Sequence, residues 1–173
     1  MVNRREFMTS SVLAGAALAA SCTGCRRTSY GFLKERDAGT LSAICDQIIP
    51  ADDFPSASQA GVLNYIDLQL LGPYRRHQKT YLKGVKQANE LSRGRFGVEL
   101  AQISVLQQFE IVSAIERDNK PFFDLIRAHT MQGYYGTPRH GGNRDAMSWR
   151  MLGLDEPPLR GRAQYDFTAK TKR

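Results

Sequence analysis

Three histidines, three cysteines and a few adjacent carboxylates are the residues through which this chain could do acid–base, nucleophilic or metal chemistry. His129 falls on a helical stretch with Asp124 and Thr130 near it in sequence. No acidic or cysteine residue stands at i+4 to complete a metal pair, so it reads as a core or loop-supporting histidine. His77 sits in the run Arg75-Arg76-His77-Gln78-Lys79 and reads as solvated, whereas His140, beside Gly141-Gly142-Asn143, is placed to face a partner. Cys22 and Cys25 form a CxxC near the N-terminus without the βαβ context of a redox motif. Cys45 lies among Leu41, Ile44, Ile48 and Ile49 as a small hydrophobe, with a bridge to a partner chain as the alternative in an oxidising compartment. Asp52 and Asp53 are adjacent on a turn, so their side chains diverge, while a glycosidase holds two carboxyls about 5 to 9 Å apart across a bond. Asp145, Asp155 and Glu156 lie in loop sequence with no apolar pocket to raise a pKa. There is no GxSxG elbow, no GxGxxG, no P-loop, no CxxCH and no HExxH. No catalytic residue, metal site or cofactor is therefore assigned to this chain.

Between Gly133 and Gly153 the chain reads GYYGTPRHGGNRDAMSWRMLG. Its glycines and Pro138 force the backbone through several turns, and a disordered linker would lack the tyrosine pair and the only tryptophan, Trp149. The stretch reads as an ordered loop with three uses open. It can be a structural cap, with Tyr134, Tyr135 and Trp149 packed on the body of the protein. It can be an interface, with those aromatics as anchors and Arg139, His140 and Arg144 as directional contacts. Or Gly141-Gly142-Asn143 can present backbone N–H groups to a carbohydrate or anion.

The run Gly133-Tyr134-Tyr135-Gly136, then Gly141-Gly142-Asn143, Trp149 and Gly153, resembles the C-terminal signature of the gluconate 2-dehydrogenase subunit 3 family. The likeness extends back through Leu41 to Pro50 (LSAICDQIIP) and Pro121-Phe122-Phe123, covering roughly residues 38 to 155. The resemblance implies an exported small subunit that accompanies an FAD-containing sugar or sugar-acid dehydrogenase of the GMC type, with a cytochrome c subunit as a further partner.

The N-terminus looks like an address. Asn3-Arg4-Arg5-Glu6-Phe7-Met8 resembles the twin-arginine export motif, and the uncharged stretch from Ser10 to Ala20 is too short to be a permanent membrane span. Ala17-Leu18-Ala19 offers a cleavage site. Ala19-Ala20-Ser21-Cys22 resembles a lipoprotein box with Ala where a larger aliphatic residue is usual, which makes Cys22 a candidate for lipidation. The twin-arginine route moves folded proteins, commonly because they hold a cofactor. On a chain with no cofactor motif, such a label suggests that the chain carries a cofactor-bearing partner across. The formal charge of +7 falls by only one if residues 1–25, with Arg4, Arg5 and Glu6, are removed. The basic residues are scattered and no nucleic-acid motif accompanies them, so nucleic acid is not expected as a partner.

The elements that must position the loop are helical almost throughout. Thr40 is expected to cap a helix carrying Leu41, Ile44, Cys45, Ile48 and Ile49, stopped by Pro50. A second runs from about Ser58 to Leu71 with Val62, Leu63, Ile66 and Leu70 inward. A third is opened by Pro73, carries Tyr74, Tyr81, Leu82, Val85 and Ala88, and ends at Gly94. A fourth spans about Glu99 to Glu116 on Leu100, Ile103, Leu106, Phe109, Val112 and Ile115. A fifth follows Pro121 and delivers the chain into the loop at Gly133. The expected architecture is an all-α bundle of about five helices over residues 38–155. It is preceded by a leader over residues 1–25 and followed by a basic, extended tail over residues 156–173. The expected role is a non-catalytic subunit in the periplasm, touching the membrane only through a lipid anchor or its complex. The alternatives are a free-standing exported carbohydrate-active enzyme or a lipoprotein adaptor without a redox partner.

Overall fold

A computed structural model describes residues 30–154. The leader with Arg4, Arg5 and Phe7, the cysteines Cys22 and Cys25, the acids Asp155 and Glu156 and the tail lie outside the described residues. Among the described residues there is no strand, and six α-helices follow one another: α1 (Glu35–Ile48), α2 (Val62–Leu71), α3 (Gln78–Phe96), α4 (Val105–Asp118), α5 (Lys120–Tyr135) and the short α6 (Met147–Met151). No described helix is long and apolar enough to cross a membrane.

The first helix is the hub. Glu35 and Asp37 place negative charge at its N-terminal turn, where the helix dipole favours it. Its face of Ala38, Leu41, Ile44 and Cys45 is buried, and it packs against α2, α3, α4 and α5. Thr40 is not a cap, because the helix begins one turn earlier. It is buried inside α1, where its hydroxyl and the Asn89 amide of α3 hydrogen-bond across the core (Asn89 Nδ2 to Thr40 Oγ1, 2.9 Å). Asn89 Oδ1 also receives the Leu100 amide at 3.1 Å, which ties the turn before α4 to α3.

The second helix starts at Val62 rather than near Ser58, after Gly61 has turned the chain in the left-handed region (φ 77°). Pro73 does not open α3. A turn at Arg75–His77 intervenes, and α3 then runs past Gly94 to Gly97, whose φ of 79° closes it. Gly84 on α3 lets the Phe122 ring of α5 lie directly on the helix backbone, where any Cβ would collide with the ring. The fourth helix is capped by Ser104, which forms a capping box with Gln107. Its inward face is Ile111, Val112, Ala114 and Ile115. Leu106 and Phe109, expected inside, are 80% and 62% exposed, and Leu82 of α3 also faces outward. Asn119 caps α5 by accepting the Phe122 amide, with Pro121 in the first turn.

Candidate partner interface at the glycine loop

The signature begins inside a helix. Gly133, Tyr134 and Tyr135 are the last turn of α5, and only from Gly136 does the chain leave it. Gly133 lets α5 approach the Tyr65 ring of α2, and Gly142 lies so close to the Gly133 carbonyl that no side chain fits between them. Gly141 adopts φ 91° over α2, where a Cβ would meet Leu68 at 2.7 Å. Gly133 and Gly141 make room for side chains of α2 and Gly142 for the backbone of α5, and Gly142 and Asn143 are buried rather than offered as an open nest.

Asn143 is the staple of the loop. Its Nδ2 donates to the Gly136 carbonyl at 2.8 Å and its Oδ1 accepts the Ser148 amide at 2.9 Å, so one side chain joins the end of α5 to the start of α6. The Arg144 amide donates to the Ala60 carbonyl, fastening the loop to the entrance of α2. Asn143, Asp145 and Ala146 have φ of 43°, 55° and 52°, the three positive values among described non-glycine residues. Each such conformation costs on the order of 1 kcal/mol, and the surrounding hydrogen bonds hold them.

The aromatics divide. Tyr134 is buried, and its hydroxyl donates to the Pro55 carbonyl at 2.7 Å. Burial pushes its pKa up, with the neighbouring Tyr135 adding to the effect. Trp149 is half-buried and its indole N–H donates to the Tyr135 carbonyl at 2.8 Å. Tyr135 stays exposed and packs edge-on against Tyr134. With Met131, Phe54, Ile49 and Leu152 it lines an open apolar groove of about 470 Å³ between the end of α1, the end of α5 and α6. Arg139, His140 and Arg144 are exposed on the loop itself.

The other histidines belong elsewhere. His129 is buried in α5, with the Tyr74 ring stacked on it at 4.4 Å and the Tyr81 hydroxyl 2.8 Å from its Nδ1. Burial lowers its pKa from 6.5 to about 4, helped by His77 and Arg76, so the ring is neutral at physiological pH. His77 is not simply solvated: its ring meets His129 edge-on at 5.7 Å. Gln132 completes the cluster, its Oε1 accepting from the hydroxyls of Tyr65 and Tyr74 at 3.0 and 3.1 Å. Cys45 is fully buried and accepts from Thr130 Oγ1 at 3.3 Å, and burial pushes its thiol up to about 12. A bridge to another chain is closed to it in the folded protein.

Asp67 is a functional residue of the fold that the sequence reading passed over. It is buried on α2 and its carboxylate receives the amides of Gly31, Phe32 and Leu33 at 2.8 to 2.9 Å. The signal was present as a lone charge inside the apolar run of Val62–Leu71. Among the described residues no group of three or more histidines, cysteines or carboxylates is placed to hold a metal ion.

No curated protein and no solved structure matches the chain at a significant level. A family model, gluconate 2-dehydrogenase subunit 3, matches residues 35–155. That match opens on the first residue of α1 and closes just past α6, taking in the bundle, the groove and the glycine loop together. The chain belongs to the gluconate 2-dehydrogenase subunit 3 family.

Proposed function

We propose that this chain is the non-catalytic small subunit of a periplasmic, FAD-dependent sugar or sugar-acid dehydrogenase of the GMC type. It binds and stabilises the flavoprotein and carries it through twin-arginine export. The family match over residues 35–155 is the observation that carries this reading. The hydride chemistry resides in the partner's flavin, and a cytochrome c subunit takes the electrons onward. This chain supplies a rigid surface, the groove beside Tyr135 and the loop with Arg139, His140 and Arg144 on its outer side.

Two features support the assignment of the interface to this end of the molecule. The apolar groove is open, and the aromatic and methionine side chains at its walls are of types enriched in protein interfaces, Tyr among the usual hot spots. The loop is also held in one conformation by Asn143 and by Trp149, so binding does not have to order it. The motif at Asn3 to Met8 supports the export role, and the test is a double substitution, Arg4→Lys with Arg5→Lys. Dehydrogenase activity and flavoprotein antigen should both be stranded in the cytoplasm. Normal export of the flavoprotein would refute the carrier role.

A further inference from the structure

The connection between α1 and α2 stands between two grooves. One is the groove beside Tyr135. The other, of about 590 Å³, runs between α1 and the start of α4, with Ala43, Pro50, Ala51, Ala101 and Val105 among its walls. Pro50 lines both grooves. Ala51 and Ser56 line the α4 side, and Asp52 and Phe54 the Tyr135 side, so residues 50–56 form a ridge between them. The ridge is tied down at its base. The Ala57 amide donates to the Ile49 carbonyl at 3.0 Å, the Ser58 amide to Asp46 Oδ1 at 2.8 Å, and the Tyr134 hydroxyl to the Pro55 carbonyl.

The far wall of the second groove carries an exposed apolar patch. Val105, Leu106 and Phe109 of α4 are 70%, 80% and 62% exposed. Phe109 follows Val105 by four residues and Leu106 by three, so on the helix it is the neighbour of both and the three side chains are contiguous. Val105 belongs to the groove as well as to the patch. Gln47 of α1 fixes this wall, its Nε2 donating to the Val105 carbonyl at 3.1 Å. The patch is on the order of a few hundred Å², a scale at which an exposed apolar surface is often functional.

We infer that the flavoprotein straddles the ridge, filling the Tyr135 groove on one side and covering Val105, Leu106 and Phe109 on the other. The inference rests on the subunit reading proposed above and extends its interface. Size argues for one partner across both grooves. Ten residues line the Tyr135 groove, and Arg139, His140 and Arg144 add three on the loop, whereas a stable interface engages about 20 to 30 on each side. The second groove is lined by eleven, Pro50 among them, and its patch supplies the missing extent. By itself the patch falls short of the roughly 800 Å² per partner that a stable pair of identical chains would bury.

The test is capture of the flavoprotein on the immobilised full-length chain, read by flavin absorbance over a concentration series. Leu106→Ser with Phe109→Ser should raise Kd roughly tenfold with the unfolding midpoint unchanged. Leu106→Glu, at the most exposed of the three positions, should act in the same direction. Capture by both variants at the parent's Kd overturns the inference and leaves the subunit reading standing. A parent that captures no flavoprotein refutes the subunit reading and the inference with it. Sedimentation of the chain alone supplies the remaining arm: a dimer of the parent that the double variant abolishes would show a second copy on the patch, and would also overturn the inference.

Discussion

Tyr74, Tyr81 and His129 in the middle of the bundle and Tyr134, Tyr135 and Trp149 at its loop end are similar in type and opposite in use. In the middle, the polar atoms are paired within the protein: Tyr81 with His129, and Tyr65 and Tyr74 with Gln132. At the loop end Tyr134 is paired with Pro55 and Trp149 with the Tyr135 carbonyl, but the apolar faces of Tyr135, Met131 and Leu152 remain open beside a groove. The histidine that looks chemical holds the fold together, and the aromatics that look like core are where recognition can occur.

The largest effect should come from breaking the backbone contact that shapes the loop end. Gly142→Ala drives a methyl into the Gly133 carbonyl and should cost about 3 kcal/mol in urea unfolding, with partner association lost along with it. Tyr135→Ala separates the two. It should weaken flavoprotein binding by about 2 kcal/mol, roughly 30-fold in Kd, and leave the unfolding midpoint near that of the parent. A matching loss of stability would instead make Tyr135 part of the cap.

The middle of the bundle has its own signature in pH. The folded pKa of His129, about 4, lies below its ordinary 6.5, so the unfolded chain takes up a proton that the folded one refuses. Stability that is full above pH 6.5 should fall by about 3 kcal/mol as pH drops to 4, and His129→Gln should flatten the slope over that window. Identical slopes for parent and variant would show that the ring is not held neutral by its burial. The smallest effect is a gain: Gly94 sits in α3 with no atom near its missing side chain, and Gly94→Ala should add about 0.5 to 1 kcal/mol. The same substitution is thus expected to be harmful in the loop and helpful in the helix.

Much of the bundle was legible because its inward faces follow the helical period. Leu41, Ile44 and Cys45 on α1 and Val62, Leu63, Ile66 and Leu70 on α2 are buried as the spacing predicts. The expected face of α4 failed for a geometric reason. Leu100, Ile103, Leu106, Phe109, Val112 and Ile115 recur strictly every three residues, and a row of period three drifts around a helix of 3.6 residues per turn. Its middle members therefore come out on the solvent side, and its first two precede the helix, which starts at the Ser104 capping box. Thr40 looked like a cap because its hydroxyl suits one, but its partner is Asn89, 49 residues away in sequence and beyond any local rule.

The loop was legible as ordered but not in its division of labour. Which glycine makes room for which backbone, and which tyrosine turns inward, depend on α2 and on Pro55, distant in sequence. The groove was illegible for the same reason, since Ile49, Phe54, Met131 and Leu152 come from four segments of chain.

As the small subunit of a flavin-dependent dehydrogenase, this chain should leave the cell envelope in company with its flavoprotein. A mild pull-down of the tagged, exported protein, with an absorbance spectrum of the eluate, tests it most directly. A larger chain should co-purify, with flavin bands that bleach on addition of a sugar or sugar acid, and should be lost with Tyr135→Ala. A colourless protein that elutes alone under the same conditions would contradict it.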